Sequence, residues 1–124
     1  MTTPPRPPAP APRPAPPATA LPDAITYVLL GAAALITDDA DTGTPALLHA
    51  GADCACAMHG LPASLAPVIY RRAALCLARA SGYQPLDTAD PVIDCALDEL
   101  PGYPPERQAR LLTYAARRAG TTAP

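Results

Sequence analysis

TPALLHAGADCACAMHG, residues 44–60, carries both histidines and two of the four cysteines of the chain, and its reading sets the fold of everything around it. Thr44-Pro45 opens a helix, since a threonine oxygen suits the N-cap and a proline at the first helical position gives up an amide that would be unsatisfied anyway. Gly60-Leu61-Pro62 closes it. At about 100° per residue, His49, Asp53 and Cys56 fall on one line at i, i+4 and i+7, with Leu47, Gly51, Cys54 and Met58 on the other side. Cys54 and Cys56 then diverge by about 200°, too far apart to share an ion or a disulfide, which sends Cys54 to the core.

Working outward, the preceding segment AITYVLLGAAALI predicts a first helix capped by Asp23, with Ile25, Val28, Leu29, Ala32, Leu35 and Ile36 as its apolar stripe. It is apolar almost all round and contains Gly31, Ala33 and Ala34, which suit a central helix closely approached by a second one. Between it and residue 44, Asp38, Asp39 and Asp41 form an acidic loop that lacks the terminal glutamate of a calcium-binding hand. Downstream, a third helix is expected from Ser64 to the Ser81-Gly82 stop. It buries Leu65, Ile69, Ala73, Cys76, Leu77 and Ala80, leaves Arg71 and Arg79 in water, and puts Arg72 at the boundary. Asp90-Pro91 opens a short fourth helix with Ile93, Ala96, Leu97 and Leu100 inward and Asp94, Cys95, Asp98 and Glu99 outward. A last helix runs from Pro105 to Ala119, with Leu111, Leu112, Ala115 and Ala119 at helical spacing and Gly120 ending it. The expectation is therefore an all-α fold: a compact bundle of four to five short helices over residues 23–120, behind a disordered proline-rich N-terminal arm over residues 1–22, with a short disordered tail over 121–124.

The arm follows from ten prolines in the first 22 residues, which remove backbone donors and block helix and sheet. Pro5-Arg6-Pro7-Pro8 and Arg13-Pro14-Ala15-Pro16 have the texture of a ligand for a proline-recognising groove, against the plainer reading of a solubilising tether. The chain has no Phe, Trp or Lys, so its core must be assembled from Leu, Ile, Val, Ala and Cys. Nine arginines against eleven acids give a net charge of −2, which argues against a protein whose main task is to hold a nucleic-acid backbone. The charge is uneven: residues 21–64 hold five acids and no arginine. The longest apolar run, residues 27–36, is about half of what a membrane span needs, and with no export signal legible at the N-terminus the thiols are expected to be reduced and the protein cytoplasmic.

Chemistry concentrates in three places. His49, Asp53, Cys56 and His59 are the candidate metal ligands, with zinc the ion such a set would take, although His59 is offset by about 120° from Asp53 and one continuous helix cannot close a tetrahedron. Cys56 beside His59 or His49 is the only arrangement that suggests a nucleophile, and it lacks an orienting group and an oxyanion donor. Arg107, Arg110, Arg117 and Arg118, with Tyr114 among them, form a basic stripe on the last helix that offers anion contacts. Its plainer reading is a solvated face in which Glu106 pairs with Arg110 at i, i+4. No glycine-rich phosphate loop is present, and Asp94 with Asp98 sits on a solvated face where neither pKa is expected to move.

The alanine-rich segment from Leu29 to Ile36, the element Cys54-Ala55-Cys56-Ala57-Met58-His59-Gly60, and the closing Arg/Ala/Leu helix over residues 104–119 together resemble a small actinobacterial all-helical domain family with no assigned activity. That resemblance implies a helical fold and lends no catalytic residue and no cofactor. The function expected from the residues is a non-catalytic protein-interaction or regulatory accessory module, working with an unidentified protein partner or as a homo-oligomer. The alternatives are a metal- or thiol-dependent sensor built on His49, Cys56 and His59, and a weak nucleic-acid binder acting through the last helix.

Overall fold

The structure, a computed structural model, describes Pro4, residues 20–38 and residues 41–121, the side chain of Thr121 apart. Apart from Pro4 and residues 20–22, the expected arm lies outside the described residues, as do Asp39 and residues 122–124. Five α-helices make up the fold: α1 Ala20–Ile36, α2 Thr44–Met58, α3 Ala66–Ala80, α4 Val92–Glu99 and α5 Pro105–Thr121. Single 3-10 turns precede α3, over Ala63–Leu65, and follow α4, over Leu100–Gly102. The described residues contain no strand, and the all-α bundle is the fold.

α1 packs along both α5 and α2, and α3 touches each of the other four helices. The core these helices share is aliphatic: Val28, Leu29, Ile36, Leu48, Ile69 and Leu77 are sealed from solvent, as are Ile93 of α4, Leu100 of the turn after it and Leu112 of α5. Half of the buried apolar residues among those described are alanine, which lets helix axes approach more closely than leucine-on-leucine packing allows. Of the glycines, Gly51 is the one set closest against a neighbouring helix: a Cβ there would meet Val28 Cγ1 at 3.3 Å and Val28 Cα at 3.6 Å. The small residue that draws α1 and α2 together is thus on α2, whereas a Cβ added at Gly31 would meet nothing within 4 Å.

Several helix ends differ from the sequence reading, each for a local reason. α1 starts at Ala20 rather than after Asp23, because Pro22 falls in the first turn, where a missing amide is harmless, and Thr26 Oγ1 donates to its carbonyl at 3.0 Å. Asp23 therefore sits within the first turn, its carboxylate near the positive end of the helix. Thr44 is not a side-chain cap: its hydroxyl turns inward, and Gly43, at φ 80°, precedes the helix. The α3 stop follows the expected chemistry, since Gly82 takes φ 96° while its amide donates to Arg79 O at 3.1 Å and the Tyr83 amide to Ala78 O at 3.0 Å, a paired C-terminal closure. α5 continues through Gly120 to Thr121.

Candidate functional site

α2 lies between α1 and α3 and buries Leu47, Leu48, Ala52, Ala55 and Cys56. That reverses the expected roles of its two cysteines. Cys56, expected on an open line with His49 and Asp53, is 3 % exposed, while Cys54, expected in the core, faces solvent. The line is indeed open at its first two residues, both exposed. It closes at Cys56 because the chain doubles back after Gly60: the Leu61 amide donates to Cys56 O at 2.9 Å, and the 3-10 turn over Ala63–Leu65 packs on α2. Helical periodicity alone does not register such a connection, although the Gly-Leu-Pro sequence that produces it was legible.

The candidate metal ligands do not converge. His49 lies flat on Tyr70, ring centroids 3.6 Å apart and 8° from parallel. His59, which closes α2, meets Tyr27 edge-on at 5.9 Å and 72°. Among the described residues, no three of His, Cys, Asp and Glu gather closely enough to hold an ion. Burial, and after it the charge of Asp53, pushes the Cys56 thiol above its ordinary pKa. Cys76, half-buried rather than fully inward as expected, is likewise pushed up by burial, with Arg79 and Arg72 pulling against it. Neither thiol has the lowered pKa of an activated nucleophile.

On α5 the four arginines of the stripe are all exposed but are not one open surface. The Arg107 guanidinium sits 4.2 Å from the centroid of the Tyr103 ring, and Arg118 Nη1 donates to the Tyr114 hydroxyl at 3.2 Å. Arg110 and Arg117 flank a shallow depression beside Thr113 and Tyr114. No ion pair joins Glu106 to Arg110 among the described residues.

Three features escaped the sequence reading. Arg71, expected in water, is a clasp: Nε donates to Thr88 O at 2.8 Å, Nη2 to Asp90 O at 3.3 Å, and Nη1 pairs with Asp94 Oδ1 at 2.8 Å. It ties α3 to the 83–91 connection and to α4. Gln108, one turn ahead of the apolar stripe of α5 and in line with it, is buried, accepting from Thr44 Oγ1 at 2.6 Å and donating to Tyr103 O at 2.9 Å. Its signal in the sequence was an uncharged polar residue at i−4 to Leu112 and i−7 to Ala115. The third is apolar surface left uncovered. Leu35, assigned to the core stripe of α1, is 52 % exposed, and Leu30, nearly a turn and a half before it, is 47 % exposed. Both border a groove of about 430 Å³ between α1 and α2, whose other apolar walls are Tyr27, Leu47, Gly51 and Cys54.

No helix among the described residues is long and apolar enough to cross a membrane. Comparison with protein-family models, with curated proteins and with solved structures finds no match, so the site stands on its own geometry.

Proposed function

We propose that this chain is a non-catalytic protein-interaction module, cytoplasmic, that pairs with a second copy of itself through the α1–α2 groove. The observation that carries the reading is the exposure of Leu30 and Leu35 on α1, the helix packed most extensively against its neighbours, beside an apolar trough. Single exposed leucines are ordinary, but two that border the same apolar trough form a contiguous patch, the kind of surface that marks an interaction site. Knob and hole also lie on one patch: the two leucines border the same trough as Gly31, where a Cβ would meet nothing within 4 Å. A twofold axis through the patch would seat the leucines of each protomer in the trough of the other, the self-complementarity that an isologous interface requires.

Sedimentation velocity across a concentration series tests the reading, with Leu30→Glu combined with Leu35→Glu as the comparison. Both positions face solvent, so the variant keeps the fold. The expected result is a concentration-dependent dimer for the wild type and a monomer for the variant. A wild type that stays monomeric up to about millimolar protein, where even weak pairing of about −4 kcal/mol is populated, overturns it.

A further inference from the structure

A second surface, which shares no lining residue with the pairing groove, has the makings of a recognition site. α3 presents Arg72, Leu75, Cys76 and Arg79 at i, i+3, i+4 and i+7, a stripe along one line of the helix. This stripe lines an open groove of about 450 Å³, together with Ile25 of α1 and Leu86 of the connection between α3 and α4. Leu86 is 90 % exposed, the most exposed large apolar residue among those described. It is not loose. Its amide donates to Asp90 Oδ2 at 2.8 Å, while Asp90 Oδ1 accepts from the Val92 amide at 2.9 Å and the Arg71 clasp grips Thr88 O and Asp90 O. A leucine whose main chain is fixed beside an apolar groove by these hydrogen bonds is preorganised at the backbone, so binding there costs less ordering.

The charges define the occupant. Arg72 and Arg79 are both exposed and have no hydrogen-bond or ion-pair partner among the described residues. The single acid of the groove, Asp87, already accepts from the Ala89 amide at 2.9 Å. Seven residues of helix rise about 10.5 Å, so the two guanidinium groups stand two turns apart with Leu75 and Cys76 between them. We propose that this groove binds an amphipathic helix of a partner protein that carries two carboxylates seven residues apart and a leucine-type side chain between them. An antiparallel helix laid along α3 matches that register turn for turn. Its carboxylates meet Arg72 and Arg79, and its apolar residue enters between Ile25, Leu75 and Leu86, a helix-in-groove arrangement with bidentate ionic ends. An open trough suits a helix face better than a small molecule, which needs a site that surrounds it.

The test is selection from a display library of helical peptides of about 16 residues, roughly four turns, against the full chain and in parallel against an Arg72→Gln, Arg79→Gln double variant. Neither arginine holds another part of the fold among the described residues, and circular dichroism is the check that the variant is intact. The Leu30→Glu, Leu35→Glu protein is run alongside, so that loss of pairing and loss of this site are read separately. Expected is enrichment of Asp or Glu pairs at seven-residue spacing around a leucine on the wild type, with binding of the best peptide weakened at least about tenfold by the double variant, by Leu86→Ser, and by replacing the peptide's acids with amides. Selected peptides without the acid pair, equal binding to the double variant, or no enrichment above background each overturn the proposal. So does perturbation of the groove amides by dodecanoate without any peptide selected, which would make it a site for a fatty carboxylate.

Discussion

Replacing Arg71 with alanine should cost far more than its single ion pair suggests. The carboxylate partner, Asp94, keeps 62 % of its side chain in water, which limits the pair to less than about 1 kcal/mol. The carbonyls of Thr88 and Asp90 are different, because each accepts from a charged donor, the first at 2.8 Å and the second, weaker, at 3.3 Å. Hydrogen bonds to charged groups contribute about 1.5–3 kcal/mol when well formed and shielded; the Thr88 bond is short but exposed and the Asp90 bond is long, so with the pair they add up to roughly 1.5–2.5 kcal/mol. In a domain of about 100 residues that is a fall in Tm of roughly 6–20 °C. Asp94→Asn removes only the exposed pair and should stay within about 1 kcal/mol. Arg71→Lys, with one point charge in place of a fork, can serve one acceptor at a time and should fall between the two. Urea unfolding of the three variants supplies the comparison, and amide exchange at Leu86 and Val92 shows whether the connection loosens before the bundle opens. Equal losses for Asp94→Asn and Arg71→Ala would refute the clasp and leave a simple ion pair.

Three further outcomes follow from particular contacts. Thr44→Val and Gln108→Leu each strand a buried partner and should cost about 1–3 kcal/mol singly, whereas the double variant should cost less than their sum, a non-additivity that a thermal double-mutant cycle measures directly. The backbone amides of Leu86 and Val92 hold the Asp90 carboxyl below its ordinary pKa. Its contribution is therefore complete above about pH 4, where the unfolded-state carboxyl is ionised, and disappears as the pH falls through the lower folded value; the stability gap to Asp90→Asn, followed by urea midpoints, should close over that acid interval. Thiol labelling under native conditions should modify Cys54 and Cys95 promptly and Cys76 more slowly, leaving Cys56 to react only through opening of the fold; mass spectrometry of timed digests gives the order, and early labelling of Cys56 would contradict its seal.

The five helices were legible because strong punctuation and helical spacing agreed. Thr44-Pro45, Ser81-Gly82 and Asp90-Pro91 mark ends, and the apolar positions of α4 fall as expected. Legibility failed where a residue's surroundings come from another part of the chain. Leu35 continues the apolar stripe of α1 by spacing, yet none of the described helices covers it. The exchange between Cys54 and Cys56 depends on a connection folding back over one turn of α2, and the roles of Arg71 and Gln108 on hydrogen-bond partners 17 and 64 residues away. Side-chain chemistry states what such residues can bond; only the fold states what stands opposite. For the candidate site the same holds, since the chemically dense stretch of α2 is split between two aromatic contacts and the core, while the two grooves are built from ordinary leucines and arginines that no motif distinguishes.

A core half tiled with alanine also has an unusual response to mutation. Most cores are injured by truncation, which opens holes; here half of the buried positions have almost nothing left to truncate, and change can proceed only by enlargement. Valine and threonine are each one base transition from alanine, and either would wedge apart helices whose separation is set by a single methyl, at about 1–3 kcal/mol for each overpacked site. The sequence of this bundle is therefore confined from above: drift toward larger side chains inside it is the route by which the fold would be lost, and the retention of alanine at Ala24, Ala52, Ala73 and Ala115 across any lineage of this chain would record that ceiling.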